Sequence, residues 1–290
     1  MAGGVARSYR GLSIPLRKPA FLLVPALVVY GSLFVAAVIY FFAMSFWSVK
    51  SFRIVPQFTL ANYHSVLTVN VKPFLITLAV AFLVGMTATV IGFLYAWIIR
   101  FRAGRFGSAL LFIALLTLFG GYLMKIYAWK TMLGGNGAIN SALISLGIID
   151  SPIESLLYSP LAVVISLSHF LLPFTILSSY ASLRGIDDAE IDSARDLGAT
   201  PWRILLDITI PRARSGLLAG FSLAYLISTG DYLTAQFVGG KMALYGQLIA
   251  PQFGTFFNWP LGAAMSFSIL ATSTMIISLV AFCLSRIGRP

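Results

Sequence analysis

DSARDLGATPWRILLDITIP, residues Asp192 to Pro211, is the most polar long run in an otherwise apolar chain. Upstream of it, Asp187 to Asp196 is helix-compatible, with acids crowding the first turn, where the helix dipole favours them. Gly198 permits a turn. Thr200 then suits an N-cap with Pro201 at the first helical position, opening a second short helix over WRILLDITI that Pro211 is expected to interrupt. The spacing predicts a helix–turn–helix outside the lipid. It carries small residues, Ser193, Ala194, Gly198 and Ala199, where another protein surface can approach closely.

The chain around this segment has 290 residues, 59% hydrophobic and 10% charged. Soluble domains carry about 25% charged residues, so this chain lacks the polar surface to live in water. Its apolar residues fall in blocks of bilayer-spanning length rather than in the short alternating segments of a barrel. We therefore expect an all-α integral membrane protein with six transmembrane helices: Phe21–Phe46, Pro73–Ile99, Phe106–Met124, Pro160–Leu183, Ser215–Val238 and Leu261–Leu284. The first apolar run is much longer than the 7–15 residues of a signal-peptide core and is expected to be retained as a helix. On this plan residues 1–20 are a cytoplasmic segment, 21–284 a single six-helix transmembrane domain and 285–290 a cytoplasmic tail. The lone Cys283 has no cysteine to pair with and no metal-ligand company.

Charge sets the orientation. Arg7, Arg10, Arg17, Lys18, Arg100, Arg102, Arg105, Arg184, Arg195, Arg203, Arg212, Arg214, Arg286 and Arg289 fall on one side of the expected spans. Lys50, Arg53, Lys72, Lys125, Lys130 and Lys241 fall on the other. Basic residues accumulate on cytoplasmic loops, so both termini and the 184–214 loop are expected in the cytoplasm. The same bias accounts for the net charge of +11 without nucleic acid. The outward segments carry Trp47, Tyr122, Tyr127, Trp129, Tyr158 and Trp259 near the span ends, an interfacial aromatic belt. The Gly-rich 125–159 loop, with an amphipathic run from Ile139 to Ile149, is long enough for a folded external docking surface.

Asp192, Ser193 and Ala194, then Gly198, then Ile208, Ile210 and Pro211 stand at the spacings of a known pattern: Glu-Ala-Ala, three residues, Gly, nine residues, Ile, one residue, Leu-Pro. The segment resembles the EAA loop of binding-protein-dependent ABC importer permeases, with Asp for Glu, Ser for the first Ala and Ile for Leu. The runs AWKTMLGGNGAINSALISLGIID, GDYLTAQFVGGK and NWPLGAAMS also resemble spermidine/putrescine-type permeases of that family. The resemblance implies a type I importer fold in which the EAA loop seats in a groove on a cytoplasmic ATPase. Carried over residue by residue, Asp192, Ser193, Ala194, Arg195, Leu197, Gly198 and Pro211 would form the coupling surface. It also implies partners: two ATPase subunits binding ATP and Mg, a second permease half and an external substrate-binding protein, in a bacterial inner membrane. No cofactor is expected on this chain itself. Its only Gly-Lys pair, Gly240-Lys241, is followed by Met242 and lacks the phosphate-loop pattern, so ATP hydrolysis is expected elsewhere.

For the transport path, Ser222, Tyr225, Thr229, Tyr232 and Gln236 recur at helical spacing in the fifth span and would share a face toward a cavity or a neighbouring helix. Asp231 is the one acid within any expected span, about 24 Å along the helix from Ser215 at ~1.5 Å per residue. A carboxylate at that depth needs a reason. A cationic substrate such as a polyamine is one; a structural partner is the other, and Asp231 stands about 120° from the polar stripe on an ideal helix. His169, beside Ser166 and Ser168, either lines the same path or bonds a neighbour; His64 has no assigned role. An opine, amino-acid-derived, neutral or anionic substrate fits the same importer class. An ion-driven secondary transporter would favour internal repeats and several buried charges, which the chain does not display.

Overall fold

The computed structural model describes residues 20–287. The basic residues Arg7, Arg10, Arg17, Lys18 and Arg289, used above for orientation, lie outside that range. Chain order is α1 (Ala20–Tyr30), a π-helical turn (Gly31–Val35), α2 (Ala36–Met44), a hairpin of β1 (Ser48–Lys50) and β2 (Arg53–Val55), α3 (Ala61–Thr68) and α4 (Val71–Phe101). There follow α5 (Gly107–Leu116), α6 (Tyr122–Leu133), α7 (Ala138–Ser145), α8 (Pro160–Leu183), α9 (Asp188–Asp196) and α10 (Pro201–Arg203). The chain ends with α11 (Ile210–Gly230), α12 (Leu233–Val238), α13 (Tyr245–Gly254) and α14 (Trp259–Arg286).

Among the described residues four helices are long and apolar enough to cross a membrane: Leu23–Met44, Val71–Phe101, Pro160–Leu183 and Trp259–Arg286. They match the first, second, fourth and sixth expected spans. Local chemistry fixes two of their starts: Ser159 Oγ accepts the Ala162 amide at 3.1 Å ahead of Pro160, and Asn258 Oδ1 accepts the Leu261 amide at 3.3 Å.

The other two expected spans depart from their prediction. The third breaks at Gly120-Gly121, both extended, and the chain turns 98° between Gly104–Phe119 and Tyr122–Ser145; counted as one, that bent pair makes a fifth apolar span. A glycine pair with no side chains to pack frees the backbone to leave the helix there. The fifth expected span ends at Gly230, eight residues before Val238, because Asp231 is extended and its carboxylate caps the next short helix. Its serines and threonines and the arginines at 212 and 214 keep α11 out of the strongly apolar set.

The core is the close packing of α4, α8 and α11. Glycines set the approach. A Cβ on Gly92 would collide with Thr175 Oγ1, and one on Gly85 would lie 2.9 Å from the Phe221 ring, so these two glycines let α4 pack closely on α8 and α11. Gly216 and Gly220 do the same on α11 against Ser178 of α8, a small-xxx-small pair that the sequence reading passed over. Pro173 sits inside a continuous α8. The outer α14 packs on α11, α3 and α2. The first span is 6% buried and meets the rest of the chain chiefly through α14.

Candidate coupling surface and transport groove

The polar stretch forms the expected helix–turn–helix. Asp187 caps α9 by accepting the Ala189 amide at 3.1 Å, and Asp188 and Glu190 occupy the first turn. Gly198 adopts φ +81°, with its amide donating to Arg195 O at 2.8 Å and the Ala199 amide donating to Ala194 O at 2.9 Å. Those two bonds are a Schellman closure, in which the residue after the C-cap must take left-handed dihedrals. Thr200 caps α10, accepting the Arg203 amide at 3.3 Å ahead of Pro201.

One expectation here is corrected. Pro211 does not interrupt the second helix. The chain runs on through a wide turn at Ile204–Thr209 into α11, and Thr209 Oγ1 donates to Ile204 O at 3.2 Å. A proline removes one amide donor and crowds the carbonyl four residues back; a π-turn relieves both by shifting the hydrogen bonds one residue further.

Two arginines fix this segment to the bundle. Arg100, at the end of α4, donates to Ile186 O at 2.9 Å and to Asp188 Oδ1 at 2.7 Å. Arg212 of α11 forks onto Glu190 with bonds of 2.9 to 3.2 Å. Beneath them Ile186, Ile191 and Ile204 are buried against Phe93, Ala96, Leu183, Ala213 and Leu217. The segment is thus a rigid extension of α4, α8 and α11.

Its outer surface is unusual for a polar loop. Leu197 is 90% exposed and Trp202 67%, flanking the Gly198 turn. Asp192 and Arg195 are exposed and pair with each other at 2.8 Å along one helix face. Ser193 bonds back to Ala189 O at 2.7 Å. Ala194 and Ala199 are half-buried and pack inward, so of the small residues these two support the segment from within. Trp202 was not singled out from sequence; its signal is a large aromatic two residues after a cap, on a stretch too polar for the membrane.

The stripe expected to line a path is not one face. Tyr225 is fully buried, stacked on Phe221 with ring centroids 5.6 Å apart. Ser222 is half-buried, and Gln236 is exposed on the separate helix α12. Thr229 and Tyr232 do reach a groove of about 490 Å³, between α11, α13 and α14, shared with Ser266 and Ser273 and walled by Ile249 and Leu270. No charged side chain lines it.

Asp231 lies outside this groove. It is 8% exposed; its carboxylate accepts from the Tyr122 hydroxyl and, at 3.1 Å, from the Thr234 amide, while Tyr122 Oη also meets Thr234 Oγ1 at 2.7 Å. The acid joins α6 to the α11–α12 break. His169 likewise faces away from the groove, its ring edge-on to Trp129 of α6 at 5.6 Å. Its Nδ1, like the Nζ of Lys125, is buried without a hydrogen-bond partner among the described residues. Tyr122, assigned from sequence to the aromatic belt, is therefore a structural partner of Asp231. The two residues stand 109 positions apart, and nothing between them announces that pairing.

No family model matches the chain. The chain is 32% identical over 234 residues to the "Spermidine/putrescine transport system permease protein PotB" of Escherichia coli K12, covering 80% of this chain and 83% of that protein. It belongs to the ABC transporter permease family that includes PotB. It is also 30% identical over 239 residues to the "Putative 2-aminoethylphosphonate transport system permease protein PhnU" of Salmonella paratyphi A, covering 79% and 81% of the two chains. Among solved structures, a bacterial ABC transporter involved in the import of the acidic polysaccharide alginate aligns with TM-score 0.70 at 15% identity, over 93% of this chain and 96% of that one. That likeness extends to the fold. The chain is thus a multi-pass membrane permease subunit of an ABC importer, and its capped, bundle-anchored 184–214 loop carries the residues that resemble the EAA pattern.

Proposed function

We propose that this permease moves a small cationic solute of the polyamine class across the bacterial inner membrane, as one half of a path completed by a second permease chain. Six crossings with both ends in the cytoplasm would place the 184–214 loop against a pair of ATPase subunits, which bind ATP and Mg. The opposite face would receive solute from an external binding protein. The observation that carries the solute class is the 32% identity to PotB across most of both chains.

The structure supports a path of a particular character. The groove beside Tyr232 offers hydroxyls and an aromatic ring with no carboxylate, and it stands open on one side, where a second half can close it. A desolvated ammonium is favoured over a tyrosine face by about 2 kcal/mol, enough to select a cation without trapping it. Coupling would run through the two exposed apolar side chains Leu197 and Trp202, with Asp192, Ser193, Arg195 and Gly198 around them. The Arg100 and Arg212 anchors would pass the ATPase stroke to α4 and α11.

The PhnU likeness favours one competing solute, an aminophosphonate. Competition separates the two. In proteoliposomes carrying the full complex, spermidine and putrescine should compete with each other and leave 2-aminoethylphosphonate untransported. Uptake of the phosphonate with no response to polyamines would overturn the polyamine reading. An isolated chain transporting on an ion gradient would overturn the coupling reading.

A further inference from the structure

Beside the coupling surface lies a second cavity, which shares Arg195 with that surface and is otherwise unassigned. It measures about 230 Å³ and sits between the last turn of α4 and the α9–α10 turn, lined by Trp97, Phe101, Arg102, Arg195, Ile204 and Thr209 among others. The size is below the range of pockets for drug-sized ligands, so it suits a headgroup-sized moiety rather than a nucleotide.

Its electrostatics are unbalanced. All nine aspartates and glutamates of the chain lie within the described residues, and none lines this cavity. The three ion pairs of the described chain take Asp188, Asp192 and Glu190. Arg195 shares its charge with Asp192, but Arg102 has no carboxylate within 4.0 Å among the described residues; its guanidinium stands 5.7 Å over the Trp97 ring. Two arginines therefore line one cavity that no carboxylate lines. A planar guanidinium fork matches phosphate oxygens, and Trp97 and Phe101 give the apolar wall that glycerol and the first acyl carbons would need.

Position selects the source of the phosphate. Arg100, Arg102 and Arg105 fall within six positions at the end of a membrane-spanning helix, and Trp97 one turn before them is the residue type that settles at headgroup depth. We propose that this cavity holds the phosphodiester of an anionic phospholipid, with Arg102 and Arg195 as its two ligands. The lipid would tie the α9–α10 turn to the end of α4, on the flank of the coupling surface. The site depends on the membrane topology proposed above but not on which solute is transported, and it is read out by binding, without transport.

The test uses the full complex purified in mild detergent and exchanged into mixtures of phosphatidylglycerol and phosphatidylcholine. Lipid retained on this chain is then counted by native mass spectrometry. Wild type should retain one phosphatidylglycerol in preference to phosphatidylcholine. Arg102→Gln should lower that retention about fivefold, the value of one basic residue at an anionic surface. Arg286→Gln, an arginine at the end of α14 outside the cavity, should leave it unchanged. Should Arg102→Gln fail to assemble, Arg102→Lys keeps the charge but loses the fork and should show a smaller drop. Displacement of the lipid by millimolar inorganic phosphate would keep the site and reassign it to a soluble anion. Equal retention of both lipids, or retention indifferent to Arg102, would overturn the proposal and leave the cavity to a carboxylate of the ATPase.

Discussion

The α9–α10 turn and the α11–α12 break both interrupt helices near an aspartate or a glycine, yet they are held by different means. At the turn itself the backbone is closed by bonds between residues at most five positions apart, Gly198 to Arg195, Ala199 to Ala194 and Arg203 to Thr200, while Arg100 and Arg212 only anchor the flanking helix. At the break the decisive bond joins Asp231 to Tyr122, 109 positions away. Local closure makes a conformation legible in consecutive residues and leaves the side chains around it free for a partner. Remote closure uses the polar group up, so Asp231, the most suggestive acid in the sequence, has no carboxylate oxygen turned to the groove.

The comparison breaks first at Gly198. Gly198→Val places a β-branched residue at φ +81°, where Asn is tolerated and Val is not. Uptake by the assembled complex should fall tenfold or more and ATP hydrolysis should lose its dependence on loaded binding protein, while Gly198→Asn retains most of both. Full uptake by the Val variant would show that the turn does not set the coupling geometry.

At the break the expected loss is of stability rather than of selectivity. Asp231→Leu leaves the Tyr122 hydroxyl and the Thr234 amide without their acceptor and should cost about 1–3 kcal/mol, visible as a lower unfolding midpoint in detergent. A Tyr122→Phe, Asp231→Asn cycle should return a coupling of roughly 0.6–1.7 kcal/mol, the range of side-chain hydrogen bonds inside membranes. Uptake of cationic and neutral solutes should decline in parallel. A selective loss of cation uptake at full stability would return Asp231 to the path.

Smaller effects sharpen the contrast. Arg212→Gln breaks an exposed but forked pair with Glu190, and a loss of up to about 1 kcal/mol that shrinks in high salt is expected. Asp192→Asn removes half of an exposed pair within one helix. Its stability effect should stay within about 0.5 kcal/mol, so any fall in uptake from this variant reports contact with the ATPase.

Residues acting on near neighbours were readable in advance. Four of the expected spans, the cap at Thr200 and the turn at Gly198 depend on length, apolarity and contacts within one or two turns, which neighbouring residues encode. The polar stripe failed because helical spacing assumes an unbroken helix, and the break after Gly230 turns Gln236 onto another element. The bend at Gly120-Gly121 was open to glycine chemistry, but its 98° angle depends on what α6 packs against.

The sequence by itself determined that this chain lives in a membrane, which segment is too polar for the lipid and which family pattern that segment resembles. Burial of apolar blocks and local capping need no knowledge of the rest of the chain. Only the tertiary structure decided which polar groups remain available. It placed Asp231 with Tyr122, turned Ala194 inward, left Leu197 and Trp202 in the open and set Arg102 beside Trp97 at an acid-free cavity. A polar side chain is free or occupied according to what packing brings within hydrogen-bond reach, and that partner can lie anywhere along the chain.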